Sequence, residues 1–228
     1  MNVIKGLIIK DILQLKSYKR TLILYLIIFL STSIIQENSS SIIGMALPML
    51  TLVFGMMSIA TFSYDEIAKA DNFLLTLPIN KKDIVKAKYI LTVCATIIGA
   101  FAGLIVGVLI MIAFKRPMPD VGEMLLVALG SILGIGFVES VQIPPIYKYG
   151  VEKGRIQIFG ITILIAFVIG IIAYLGEKIN INMTGLLDVI SRFFPIFIIL
   201  VTALMYYISY KISCKFYMKK KSKNANKR

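Results

Sequence analysis

The sequence has no histidine and no tryptophan, and only two cysteines and twelve acidic residues among its 228. Each scarcity closes off some chemistry. Without histidine, the commonest metal ligand and proton relay is missing, and an intramembrane Ser–His hydrolase is excluded. Cys94 and Cys214 stand far apart, in or beside apolar runs. They make neither a disulfide framework nor a metal-binding spacing and read as buried, inert thiols. No G-x-x-x-x-G-K-[ST], H-E-x-x-H or G-x-S-x-G occurs, so the chain carries no phosphate-binding loop and no familiar hydrolase motif. Charged residues make up 16% of the chain, against about a quarter in a soluble domain.

What is present is apolar. Hydrophobic residues account for 58% and the mean hydropathy is +0.86. Long apolar runs define an all-α, polytopic membrane protein. Six spans are expected at about 18–35, 42–63, 89–114, 123–143, 156–175 and 193–212, within one transmembrane domain. They leave too little chain for a soluble domain, so a nucleotide-binding domain is expected on another chain. Residues 1–17 form an interfacial helix, with Ile4, Leu7, Ile8, Ile12 and Leu15 on one face and Lys5, Gln14 and Lys16 away from it. Gly99, Gly103 and Gly107 recur at a spacing of four in the third span, placing them on one helical face for close packing within the chain. The sixth span opens with Pro195 in its first turn, and residues 213–228 form a basic, irregular tail. Glu139 is an ionisable residue in the fourth span, read either as an intramembrane functional group or as a residue of the inner interface.

The charge of +13 would suit a nucleic-acid partner on its own. Its distribution points elsewhere. Of the 25 basic residues, 21 fall in residues 1–20, 64–88, 147–157 and 211–228. By the positive-inside rule these segments and both termini face the cytoplasm, against the anionic inner leaflet, and nucleic acid is not a partner.

Residues 64–88 form the large cytoplasmic segment. It holds Asp65, Glu66, Asp71 and Asp83, five lysines, and the aliphatic run Phe73-Leu74-Leu75-Thr76-Leu77-Pro78. Asn80 is placed to cap a helix starting at Lys81, with Asp83 favourable to the helix dipole. A hydrophobic knob, a short helix and orienting charges make a mechanical coupling element. The plainer reading is an amphipathic loop lying in the membrane interface.

Phe62-Ser63-Tyr64-Asp65-Glu66, Asp71-Asn72-Phe73, Leu75-Thr76-Leu77-Pro78-Ile79, Lys81-Lys82-Asp83-Ile84-Val85 and Lys88-Tyr89 together resemble small permeases of the type-2 ABC-exporter superfamily. Pro145-Ile146-Tyr147-Lys148-Tyr149-Gly150 and Glu152-Lys153-Gly154-Arg155 resemble their second cytoplasmic loop. Within that superfamily the chain is most similar to permeases of phenol-soluble-modulin exporters. The resemblance implies a non-enzymatic subunit in a bacterial cell membrane, working as a homodimer with a separate ATPase that binds the ATP and Mg. It implies amphipathic peptides or other hydrophobic cargo. It also implies ATPase coupling through Asp65, Glu66, Asp71, Phe73, Leu74, Leu77, Pro78, Lys81, Lys82 and Asp83, with Tyr147, Lys148, Glu152, Lys153 and Arg155 in the second loop. This chain itself has no catalytic, cofactor or metal residues on that reading. The competing readings are a secondary transporter or channel, and an accessory or immunity membrane protein that transports nothing.

Overall fold

A computed structural model describes residues 3–16, 20, 22–25, 27–28, 31, 38–154, 156, 160 and 184–225, with backbone alone at 71, 72, 75, 184–197 and 220–225. The expected spans at 18–35 and 156–175 lie largely outside the described residues, as does Arg155. Every regular element among the described residues is an α-helix: α1 Val3–Leu15, α2 Ser39–Ile67, α3 Ala70–Thr76, α4 Lys81–Ala113, α5 Val121–Tyr149 and α6 Thr184–Ala225. Among the described residues, four stretches are long and apolar enough to cross a membrane: α2, α4, α5 and Ile198–Lys219 within α6. The chain divides into two compact units, Met1–Glu139 and Ser140–Arg228.

In the first unit α2 and α4 form an antiparallel pair. Numbers fall on α2 as they rise on α4. A Cβ built on Gly99 would lie 2.8 Å from Thr51 Cα, one on Gly103 would lie 2.8 Å from Leu47 Cα, and one on Gly107 would lie 3.4 Å from Ala46 Cβ. The spacing of four glycine by glycine is therefore a packing seam within the chain, as the sequence predicts. Missing side chains let the two backbones approach and gain van der Waals contact, which is what remains to hold helices together when lipid is as apolar as the side chains. Ile42, Ile43, Ala46 and Leu47 of α2 pack with Ala100, Ile110 and Met111 of α4 and Ala128 of α5 in one apolar cluster.

The helices overrun their expected spans. α2 has 29 residues and α4 has 33, about 44 and 50 Å at 1.5 Å per residue. A hydrocarbon core is about 30 Å thick. Residues 64–67 of α2 and 81–88 of α4 extend into the 64–88 segment, so with α3 most of it is helical. It is also not wholly exposed: Leu74, Val85 and Lys88 are buried.

In the second unit three expectations change. The stretch from Pro144 is not a loop: α5 continues through Pro144 and Pro145 to Tyr149. Proline's fixed φ is itself helical, and although its ring costs a hydrogen bond and crowds the carbonyl four residues back, the helix continues until Gly150, whose φ of 89° ends it. α6 is continuous from Thr184, so Pro195 lies inside a helix and not in its first turn. The tail is helical to Ala225, since lysine, methionine and alanine are good helix formers. Tyr147 meets Tyr217 edge-on at 5.6 Å, and Ser209 Oγ donates to Ser140 O.

Candidate functional site

The segment between α2 and α4 is built from short-range rules. The last turn of α2 carries Tyr64, Asp65 and Glu66. It closes with Ala68 N donating to Tyr64 O at 2.9 Å and Lys69 N to Glu66 O at 3.2 Å. Lys69 then takes a left-handed conformation, φ 49°, which redirects the chain into α3. Leu77 is extended. Asn80 Oδ1 accepts from Lys82 N at 3.1 Å, the cap that the sequence places there. It satisfies a first-turn amide of α4 that has no intrahelical partner.

The aliphatic run divides. Phe73 is 67% exposed and Leu77 36%, while Leu74 is 6% exposed and packs inward. Pro78, Lys81 and Lys82 are exposed and Asp83 is half-buried. Ile67, 79% exposed, joins this group although the sequence reading passed over it. Its signal was an isoleucine two residues past Asp65, among charges. For Asp71 only the backbone, in α3, is described.

Asp65 does not face outward. Its Oδ1 accepts from Lys10 Nζ at 2.7 Å and Gln14 Nε2 at 3.0 Å, and its Oδ2 lies 2.7 Å from Lys88 Nζ. Lys88 Nζ also donates to Asp11 Oδ1 at 3.0 Å and Thr61 Oγ1 at 2.9 Å, and sits 4.9 Å from the centre of the Phe62 ring. Asp11 closes the set with Lys10 at 3.1 Å. The result is a clasp of two cations and two anions drawn from α1, α2 and α4, with Asp11 and Lys88 buried and Lys10 and Asp65 half-buried. Such a group is tolerable because its charges cancel and its donors are used; removing one member leaves a buried charge exposed to its full desolvation cost.

The clasp corrects two readings of α1. The buried residues of this helix are Leu7 and Asp11, while Ile12 is exposed. Gln14 points inward to Asp65. The helix is turned by its charges, because Asp11 and Gln14 find partners on α2 and α4 that a lipid surface does not offer. Burial pulls the Lys10 ammonium down, but the hydrogen bond to Asp65 and the fields of Asp11 and Asp65 outweigh it, holding Lys10 above its usual value.

From Lys88 a line of hydroxyls follows α4: Thr92 Oγ1 donates to Lys88 O and Thr96 Oγ1 to Thr92 O, each at 2.9 Å. Ser58 Oγ of α2 lies 3.3 Å from Thr92 Oγ1. The line ends at Glu139, which is 2% exposed, with its two carboxyl oxygens 3.0 and 2.8 Å from Thr96 Oγ1. Glu139 is thus buried against protein. Cys94, expected to be buried, is exposed; Cys214 is buried. Cys94 precedes Thr96 by two residues and so falls on another face of α4.

Of the second-loop residues, Tyr147 is buried and Lys148 is exposed at the end of α5. Lys148 Nζ lies 4.5 Å from the Tyr149 ring centre and 5.2 Å from that of Phe216. Glu152 and Lys153 are exposed on the helical turn after Gly150. These residues belong to the second unit, and the clasp to the first.

Apolar helices of spanning length, joined by charged segments, define an integral membrane protein of helical type. Residues 6–218 match the family described as ABC-2 family transporter protein, and the chain belongs to that family. No curated protein and no solved structure matches the chain. Membership makes it a permease subunit of an ABC transporter system, in which membrane subunits of this kind are not themselves catalytic and an ATPase partner is implied.

Proposed function

We propose that the chain is the permease of a bacterial ABC exporter, a homodimer in the cell membrane that carries amphipathic peptides, of the phenol-soluble-modulin kind, out of the cell. A separate ATPase binds the ATP and Mg. Spans at about 18–35 and 156–175 complete six, with both termini in the cytoplasm. The ATPase grips the 64–88 segment, with Phe73 and Leu77 as the apolar knob, Pro78 stiffening its exit, and Glu66, Asp71, Lys81, Lys82 and Asp83 orienting it. Leu74 anchors the knob, and Asp65 acts from beneath it through the clasp. Tyr147, Lys148, Glu152, Lys153 and Arg155 form the second contact. ATP binding biases one of two packings, because only a differential interaction can move such an equilibrium.

The observation that carries this reading is the coexistence of an exposed Phe73 and Leu77 with a buried Leu74 on one short stretch. A loop that merely lay on lipid would not need its roots fixed by four charges, two of them buried. The cargo class rests on the resemblance and on spans poor in charge, whose apolar walls discriminate weakly between apolar cargoes. The test is co-purification of an ATPase chain with wild type and with F73D/L77D. Loss of the ATPase from a well-folded variant supports the coupling assignment, and undiminished binding removes it. For cargo, a strain lacking this chain should retain more amphipathic peptide; equal retention removes that cargo.

A further inference from the structure

α6 has 42 residues, about 63 Å at 1.5 Å per residue, or twice the thickness of a hydrocarbon core. Packing settles its inward side: Ser209, Ser213 and Tyr217, one every fourth residue, are buried. Two rows at the same spacing run along the outward side, and every member of both is exposed. The first row is apolar: Leu200, Leu204, Ile208 and Ile212. The second begins with Tyr207 and continues as Lys211, Lys215 and Lys219. Residues three and four apart are neighbours on a helix, so the two rows lie side by side.

Their order along the axis matches a phospholipid. From Leu200 to Ile212 the apolar row rises about 18 Å, and one leaflet contributes about 15 Å of hydrocarbon. Tyr207 lies one turn before the first lysine, with Lys211 Nζ 4.5 Å from the centre of its ring. Tyrosine favours the depth where hydrocarbon meets head groups. The lysines follow, where phosphates lie.

The charge on this face is left unbalanced by the chain. Residues 189–228 include no acid, and residues 211–228 hold eight basic residues. Among the described residues no carboxylate pairs with Lys211, Lys215 or Lys219. Like charges four apart repel along a helix, and an anion between them turns that repulsion into attraction. Lys148, assigned above to the second ATPase contact, stands apart from this face. It lies over Phe216, which projects about 140° round the helix from Lys211.

We propose that the outward face of α6 is a binding site for one anionic phospholipid, its phosphate between Lys211 and Lys215 and an acyl chain along Leu204 and Ile208. An acidic soluble partner would satisfy the lysines and leave the apolar row bare. A second copy related by a two-fold axis across the membrane would set the same ends together, lysine against lysine. The lipid covers both rows at once. Bound there, it fixes the depth of α6, because sliding the helix by a turn would take the phosphate off its lysine pair. None of this depends on the cargo or the ATPase.

The absence of tryptophan supplies the test. The full chain carrying Y207W as its sole tryptophan is reconstituted in phosphatidylcholine vesicles with brominated phosphatidylglycerol or, at equal mole fraction, brominated phosphatidylcholine. Bromine quenches only where the lipid touches the indole. Phosphatidylglycerol should be enriched at the indole roughly tenfold, as two lysines near an anionic head group allow. Adding K211Q/K215Q should abolish the preference, while K227Q/R228Q, which removes the same two charges at the chain end, should keep it. Equal quenching by the two brominated lipids overturns the proposal without any lysine variant, and L204W, one turn deeper on the apolar row, repeats that comparison should Y207W not fold. Equal losses from the two double variants also overturn it, since the attraction would then belong to the tail's charge as a whole. Inorganic phosphate at matched ionic strength should leave the quenching unchanged; displacement by it would make this a site for a free anion and not for a lipid.

Discussion

Lys88 Nζ lies 2.7 Å from Asp65 Oδ2, tying the first turns of α4 to the last turn of α2 where the chain leaves each helix for the connecting segment. Asp11 and Lys10 extend this tie to α1. A load applied to the segment between α2 and α4 therefore meets three helices fastened at one point, and none of them can follow it alone.

Removing the central cation is the severest test of that tie. Lys88 is 5% exposed, and K88M leaves Asp11 and Asp65 short of a partner while keeping most of the buried chain. Breaking a buried pair from one side costs about 3–5 kcal/mol. Melting in detergent should show K88M strongly destabilised and K88M/D11N less so than the sum of the single changes, since contacting residues do not add. A loss within about 0.5 kcal/mol for K88M, as for an ordinary surface change, would show that the clasp does not form.

The glycine seam makes a graded prediction. A Cβ at position 103 meets backbone at 2.8 Å, whereas one at position 107 meets the Ala46 methyl at 3.4 Å, an ordinary contact. G103A should force α2 and α4 apart and cost about 1–3 kcal/mol. G107A should change stability by no more than about 0.5 kcal/mol. Equal effects on melting would mean that the two helices do not cross in this register.

The seam was legible because it is a local rule: a spacing of four puts glycines on one face whatever lies opposite. The Asn80 cap was legible for the same reason, since it needs only a neighbour two residues on. The clasp was not. Asp11 and Lys88 are separated by 77 positions, and nothing local distinguishes an aspartate that will be buried from one that meets water. Asp65 was noticed as a charge, but its partners were hidden, so the sequence pointed it outward. The extension of α5 past Pro144 is not legible locally, because two prolines signal a helix end by lost hydrogen bonds and crowding of the preceding turn, while their φ still suits a helix that packing holds together.

Lys10 gives the clasp a pH signature of definite sign. Its folded-state pKa is raised above the ordinary 10.5 by Asp65 and Asp11, which overcome the opposing effect of burial. A cation with a raised pKa stabilises the fold fully below its unfolded value, and that contribution is lost as pH climbs through the folded one. Protection of the α1 amides, taken relative to the intrinsic base-catalysed exchange rate, should accordingly be flat through neutral pH and fall above about 10.5. K10M should remove the alkaline step. A step of the same size in K10M would assign it to another group.

Phe73 and Leu74 are adjacent and have opposite surroundings, one 67% exposed and the other 6%, so they separate folding from partner binding. L74A deletes buried apolar atoms and should cost about 2–5 kcal/mol, with the range set by how far the site collapses. F73A removes a ring that touches little and should leave stability within about 0.5 kcal/mol. If the ring is the knob seated in an ATPase groove, F73A should weaken ATPase binding at least about tenfold, because buried aromatic anchors dominate interface energies. L74A should weaken it only in proportion to the protein lost to unfolding. The opposite pattern, with F73A unstable and fully competent to bind, would mean that the run lies against this chain's own surface and that the ATPase grips elsewhere.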